Sequence, residues 1–162
     1  MIEHPIPPVF DENSEILILG SFPSVRSREV GFFYGHNQNR FWRVISTLFG
    51  REMPESIEEK RELLLSARVA VWDVIASCDI LASSDSSIKN VRPNNISQIL
   101  ERANIRAIFV NGKTAEKFYN RYIKNIVGRE AICLPSTSGA NATYSLQMLV
   151  DAWREKIFDR LG

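Results

Sequence analysis

The sequence predicts an α/β fold: a three-layer α/β/α sandwich around a four-stranded, mostly parallel sheet. Two observations carry that expectation. Four short runs, Glu15-Ile-Leu-Ile-Leu, Val69-Ala-Val-Trp, Ile105-Arg-Ala-Ile-Phe-Val and Ala131-Ile-Cys-Leu, are apolar almost without interruption and rich in β-branched residues. That is the composition of strands buried on both faces of a parallel sheet. Segments with helical periodicity or helix-start signals separate the runs, and strand alternating with helix builds right-handed crossover units.

Taken in order, the elements follow from local signals. Residues 1–8, with Pro5, Pro7 and Pro8, read as an extended arm, because proline cannot donate to a helix or to a sheet ladder. The first strand occupies residues 15–19. Residues 40–49 carry apolar side chains at helical spacing and meet Gly50 at the expected stop, with Asn39 placed as an N-cap. Ser56-Ile-Glu-Glu opens the next helix with a capping-box pattern, ahead of the second strand at residues 69–72. Asn95-Ile-Ser-Gln is a weaker version of that signal before a short helix at residues 99–103. The third strand, residues 105–110, leads to a helix at 114–122, and the fourth, 131–134, to a closing helix at 144–161. No repeat, low-complexity tract or linker interrupts the chain, so one domain over 1–162 is expected.

Composition narrows the functional classes. With 44% hydrophobic residues the chain can bury a real core. Its first residues lack a basic segment followed by an apolar one, and no apolar run is long enough to cross a bilayer, so a cytoplasmic protein with no membrane partner is expected. Cys78 and Cys133, the only two cysteines, sit beside apolar residues and suit buried reduced thiols. Four ligating cysteines are lacking, which excludes an iron–sulfur cluster, and His36 is the only histidine outside the arm, which makes no metal site. No cofactor is expected, and a monomer is. A formal charge of +1 neither demands nor forbids a nucleic-acid partner, so any DNA affinity must be local. Arg26, Arg28, Arg40, Arg43, Lys89, Arg92 and Lys113 lie near the motifs that follow.

In such sheets ligands bind beyond the carboxyl ends of the strands. Those positions read Gly20-Ser-Phe-Pro-Ser, Asp73, Asn111-Gly-Lys-Thr and Pro135-Ser-Thr-Ser-Gly-Ala-Asn. The stretch Gly31-Phe-Phe-Tyr-Gly-His-Asn-Gln-Asn-Arg-Phe-Trp brings aromatics, a histidine and carboxamides into one loop. Aromatic faces there can stack on a base, a contact of about 1–3 kcal/mol. Carboxamides beside them can position water or read amide-like base edges.

Taken together, Gly20-Ser-Phe-Pro-Ser, Tyr34-Gly-His-Asn-Gln-Asn-Arg-Phe-Trp-Arg-Val-Ile and Leu134-Pro-Ser-Thr-Ser resemble the ordered motif set of the uracil-DNA glycosylase superfamily. Trp72-Asp73 and Asn111-Gly-Lys-Thr-Ala fit the same set. The Asn39-Arg-Phe-Trp phrase is similar to that of bacterial mismatch-specific uracil glycosylases, and Leu-Pro-Ser-Thr-Ser is similar to the hypoxanthine-DNA glycosylase branch. The resemblance implies a monofunctional glycosylase that extrudes a deaminated base from DNA and hydrolyses its N-glycosidic bond, with hypoxanthine the first expectation and uracil or a G:U or G:T mismatch the alternative. Three departures qualify it. Phe22 stands where much of the superfamily has an Asp or Asn that handles the attacking water, Leu134 where uracil-specific members have a histidine, and Gly139 where a proline is usual. The hypoxanthine branch shares the first loss and is thought to use the asparagine that matches Asn39.

The roles that follow from the resemblance are specific. Asn39 would hold the water, and the backbone N–H groups of Ser21 and Phe22 would stabilise the departing base. Tyr34 would stack on that base and Asp73 would accept its N1–H, with Gly20, Pro23 and His36 completing the base site. Ser24, Ser136, Thr137, Ser138, Gly139 and Asn141 would grip the DNA backbone, joined by Lys89 at the end of the hydroxyl-rich stretch from Ser83.

Simpler readings stand beside these. Asn39 can be a helix cap, His36 a hydrogen-bonding residue of its loop, and Asp73 and Asn111-Gly112 parts of turns. Phe32, Phe33, Phe41 and Trp42 read as core. A serine esterase built on Ser21 lacks a base, because residues 144–161 contain no histidine. A nucleotide-binding module lacks both glycine-rich phosphate-loop spacings.

Overall fold

The computed structural model describes residues 1–161. In chain order the elements are β1 (Ile2–Glu3), β2 (Ile16–Gly20), α1 (Val25–Val30), α2 (Phe41–Leu48), α3 (Ile57–Ser66), β3 (Val69–Asp73), β4 (Ile75–Asp79), β5 (Lys89–Pro93), α4 (Ser97–Arg102), β6 (Ala107–Asn111), α5 (Lys113–Tyr122), α6 (Lys124–Val127), β7 (Ala131–Leu134) and α7 (Leu146–Leu161). The four apolar runs form one sheet in the order β3-β2-β6-β7, with every pairing parallel. Consecutive side chains of a strand point to opposite faces. Ile16, Leu17, Ile18 and Leu19 are nevertheless all fully buried, so both faces of the sheet are covered. The helices supply that cover: α3 lies against β3, α5 against β6 and β7, and α7 against β7 and α2.

Boundaries shift where capping chemistry decides them. Ser56 and Glu59 form the expected capping box at α3. Arg40, not Asn39, is the N-cap of α2, although Asn39 Oδ1 still accepts the Phe41 amide at 2.9 Å. Asn95 does not cap α4, which starts behind Ile96 with no side-chain cap bond. Burial holds both free thiols, Cys78 and Cys133, above the usual cysteine value. Among the described residues no helix is long and apolar enough to cross a membrane.

A second, antiparallel sheet of order β1-β4-β5 has no counterpart in the sequence reading. Its strands are short, and β5 is Lys-Asn-Val-Arg-Pro, largely exposed, so no apolar run marks it. The arm is extended as expected, yet it is built into the fold. Ile2 and Glu3 pair with Cys78 and Ser77, the His4 amide donates to Ala76 O at 2.7 Å, and Val9 and Val71 exchange backbone bonds of 3.0 and 2.9 Å. Val9, just past the arm, thereby pairs with the edge strand β3 at Val71, whose backbone groups would otherwise be unpaired.

Candidate active site

A cavity of about 340 Å³ opens at the carboxyl ends of the parallel strands. Each strand contributes to its wall: Gly20 ending β2 with Ser21 to Ser24 after it, Asp73 ending β3, Asn111 ending β6, and Ser136 to Ala140 after β7. The aromatic loop adds Phe33, Tyr34, His36, Gln38 and Asn39. This is the crevice where open α/β sheets hold ligands, and its size suits a small molecule rather than a duplex.

Tyr34 sits in the left-handed region at φ 53°, a conformation costing an ordinary residue about 1–2 kcal/mol. The surrounding loop holds it there. Gly35 N donates to Ser27 Oγ at 2.8 Å, and Trp42 Nε1 donates to Phe33 O at 3.1 Å. Phe32, Phe33, Phe41 and Trp42 are buried in the core. Phe41 stacks on Tyr34 with centroids 4.0 Å apart, so stacking on a base has only the opposite face of the Tyr34 ring to use. Burial, and next the charge of Asp73, raise the Tyr34 phenol well above the ordinary tyrosine value, opposed by a hydrogen bond from Asn111.

One directional chain of hydrogen bonds crosses the cavity wall. Asn111 Nδ2 donates to Tyr34 Oη at 3.2 Å and to Thr137 Oγ1 at 3.0 Å, and Thr137 Oγ1 donates to Asn39 Oδ1 at 2.9 Å. The Thr137 amide returns a bond to Asn111 Oδ1 at 3.1 Å. Asn39 Oδ1 thus accepts two donors, the Phe41 amide and the Thr137 hydroxyl, which fixes the orientation of its carboxamide. What Asn39 has left for the cavity is the donor side, Nδ2. Asn111 is therefore the hub of the site, not merely part of a turn; its position directly after the third apolar run was the signal.

Beside Tyr34 in the cavity wall, Asp73 is buried and its Oδ2 meets Nε2 of His4 at 2.7 Å. A Cβ added to Gly20 would stand 2.5 Å from Asp73 Oδ1 and 3.0 Å from Tyr34 Oη, so glycine is the residue that lets these two groups converge. Phe22 lines the same wall, with the His4 ring edge-on at 5.8 Å and the Arg28 guanidinium 5.6 Å over its face. Ser21 and Pro23 complete that side.

Of the residues expected to grip DNA, Thr137 is the one that burial corrects. Thr137 is fully buried and its amide and hydroxyl are both bonded within the protein, so it organises the site and cannot reach a phosphate. The Ser138 amide donates to Ser136 Oγ and Asn141 Nδ2 to Ser136 O, while Ser136 and Ser138 line the cavity. Ser24 lines the cavity, but its hydroxyl caps α1. Arg40 is turned inward, donating to the carbonyls of Tyr144, Ser138 and Asn141. Gly139 packs against Gln38, where a Cβ would come within 3.0 Å of Gln38 Cβ, so a close approach explains the glycine. His36 lines the cavity and accepts the Gln38 amide at Nδ1. Lys89 lies outside, on a neighbouring groove with Met1, Ile2 and Asp79. Among the described residues no three His, Cys, Asp or Glu side chains gather as a metal site.

Comparison with known proteins adds to this geometry. A family model described as the Uracil DNA glycosylase superfamily matches residues 7–161. A hypoxanthine DNA glycosylase of Methanosarcina acetivorans is 37% identical over 147 residues, 90% of this chain and 92% of that protein. One from Methanosarcina barkeri is 34% identical over 151 residues, 92% of this chain and 94% of the relative. A solution NMR structure from Methanosarcina acetivorans, described as a uracil DNA glycosylase, superposes with a TM-score of 0.79 at 34% identity, covering 96% of this chain and 98% of that one.

Proposed function

The chain belongs to the uracil DNA glycosylase superfamily, and from that premise we propose that it removes hypoxanthine from deoxyinosine in DNA. It is a DNA glycosylase, a hydrolase of the N-glycosyl bond. In this reading it acts as a single-domain monomer in the cytoplasm, on DNA holding a deaminated base, and asks for no metal.

One observation supports the substrate class: Asp73 Oδ1 and Tyr34 Oη converge over Gly20, and Tyr34 is tied through Asn111 and Thr137 to Asn39, whose occupied Oδ1 leaves Nδ2 for a ligand. Hypoxanthine presents an N1–H that a carboxylate accepts, whereas adenine presents a lone pair that a carboxylate repels. Guanine shares the N1–H, so its rejection falls to the room available for its 2-amino group.

In the proposed reaction the flipped base lies against Tyr34. The bond between C1′ and the base breaks with its electrons going to the base, where donors such as the Ser21 and Phe22 amides stabilise them. Water held by Asn39 Nδ2 adds its oxygen to C1′, and its proton leaves for the base or solvent.

The test is incubation with oligonucleotides carrying a single deoxyinosine, uracil or xanthine, single- and double-stranded, with adenine and guanine controls, followed by alkali to reveal abasic sites. Preferential cleavage at deoxyinosine is expected. Preference for uracil moves the chain to the mismatch-uracil reading, and inertness toward all three ends the proposal.

A further inference from the structure

The N-terminal arm brings a histidine onto the cavity's carboxylate from behind. We infer that His4 is a positioning residue for base selection, holding Asp73 so that its free oxygen is presented to the extruded base; this rests on the hypoxanthine reading above. His4 precedes the segment matched by the family model, which begins at residue 7.

The geometry is fully determined. β1–β4 pairing and the His4 amide bond to Ala76 O set the position of the residue along β4. Its side chain is only 3% exposed, with the ring packed among Phe22, Phe33 and Trp72 at centroid distances of 5.8, 6.1 and 6.4 Å. The Ile6 amide donates to Nδ1 at 3.1 Å, so Nδ1 carries the lone pair and the proton stands on Nε2. Nε2 therefore donates to Asp73 Oδ2 at 2.7 Å. The backbone of Asp73 is fixed as well, because Asn94 Nδ2 donates to its carbonyl at 2.9 Å. A hydrogen bond to one oxygen of the carboxylate restrains its rotation about the side-chain bond. Its other oxygen, Oδ1, stays over Gly20 in the cavity wall. His4 does not line the cavity, so whatever it does for the base it does through Asp73.

Two substitutions separate this role from packing. His4→Phe keeps an aromatic ring but has no donor; His4→Gln has a donor but no ring. Each is assayed in single-turnover cleavage of a deoxyinosine duplex, with melting temperature and duplex affinity measured alongside. Loss of a hydrogen bond to a charged group predicts that His4→Phe cleaves about 10–100-fold more slowly at unchanged duplex affinity. His4→Gln is expected to retain activity within about 5-fold, since its amide can donate to the same carboxylate. In an Asp73→Asn background His4→Phe should cost nothing further, the signature of action through Asp73. Full activity in His4→Phe, or loss in His4→Gln alone, overturns the inference and leaves the hypoxanthine reading intact. A wild-type enzyme inert on deoxyinosine removes the reading itself.

Discussion

Replacing Thr137 by Val is the sharpest probe of how the site is held together, because the change removes one oxygen and little volume. That oxygen accepts from Asn111 Nδ2 at 3.0 Å and donates to Asn39 Oδ1 at 2.9 Å, inside a fully buried side chain. Each bond contributes about 1 kcal/mol net, so the variant should lose about 2 kcal/mol, or roughly 4–8 °C of melting temperature at this chain length. The larger effect falls on the chemistry. Asn39 keeps only the Phe41 amide as a donor to its Oδ1, and its carboxamide is free to turn. A displacement of about 1 Å in such a group costs on the order of 10²-fold in rate. Single-turnover cleavage of a deoxyinosine duplex, run well below the variant's melting temperature, should therefore slow about 10–100-fold while duplex affinity stays unchanged. Thr137→Ser retains the hydroxyl and should stay close to wild type. If Thr137→Val cleaves at the wild-type rate, or Ser is as impaired as Val, the hydrogen-bond chain does not position Asn39.

Three further outcomes follow. Asn39→Ala should lose about 10²–10³-fold in cleavage rate and about 2 kcal/mol of stability with the bonds from the Phe41 amide and the Thr137 hydroxyl, while binding measured by fluorescence anisotropy is retained; full activity removes Asn39 from the reaction. Gly20→Ala forces a Cβ to within 2.5 Å of Asp73 Oδ1 and 3.0 Å of Tyr34 Oη, so base excision should collapse, with about 1–3 kcal/mol of overpacking seen in thermal melts; an active, equally stable variant refutes the convergence. Burial first, and then Asp73, raise the Tyr34 phenol, so its contribution to stability is fully present below the ordinary tyrosine value of 10.0 and lost as pH rises above it. Melting temperatures taken across that range should fall less steeply for Tyr34→Phe than for wild type, and parallel curves would contradict this.

What the sequence displayed depended on how many residues share one physical demand. β2 is legible because four consecutive positions, Ile16 to Leu19, must all be apolar to fit between two helix layers. β5 is not, because Lys-Asn-Val-Arg-Pro answers only to its pairing with β4, a demand that any extended segment meets. The same distinction divides the site. Tyr34, Asn39 and Gly20 lie in dense local motifs, so their neighbours announce them. Asn111 was visible as a post-strand polar residue, but its importance comes from Thr137, 26 positions away. His4 touches Asp73 across 69 positions from within a proline-rich arm, and nothing near it in the chain signals a partner. Thr137, with a short hydroxyl and an amide suited to a phosphate, reads as a backbone contact from sequence; burial, which no neighbouring residue type signals, turns both groups inward.

The arrangement also explains how a pocket can hydrolyse a glycosidic bond with phenylalanine at position 22 in its first motif. Asn39 cannot act as a base, and here it cannot even accept from water, because the Phe41 amide and the Thr137 hydroxyl occupy Oδ1. Holding water through Nδ2 restrains its position and leaves a lone pair free for attack, but does nothing to strengthen it as a nucleophile. Such a site works only if the sugar has already become strongly electrophilic, that is, if departure of the base runs ahead of water addition. The burden of catalysis then shifts to the base side of the cavity, where the amides after β2, the Tyr34 ring and the Asp73 carboxylate lie. A carboxylate close to the leaving base opposes the negative charge that develops there unless it is bonded to an N–H of that same base. On the proposed reading, Asp73 would favour bases that carry such a hydrogen and hinder those that do not, and selection and catalysis would depend on one contact.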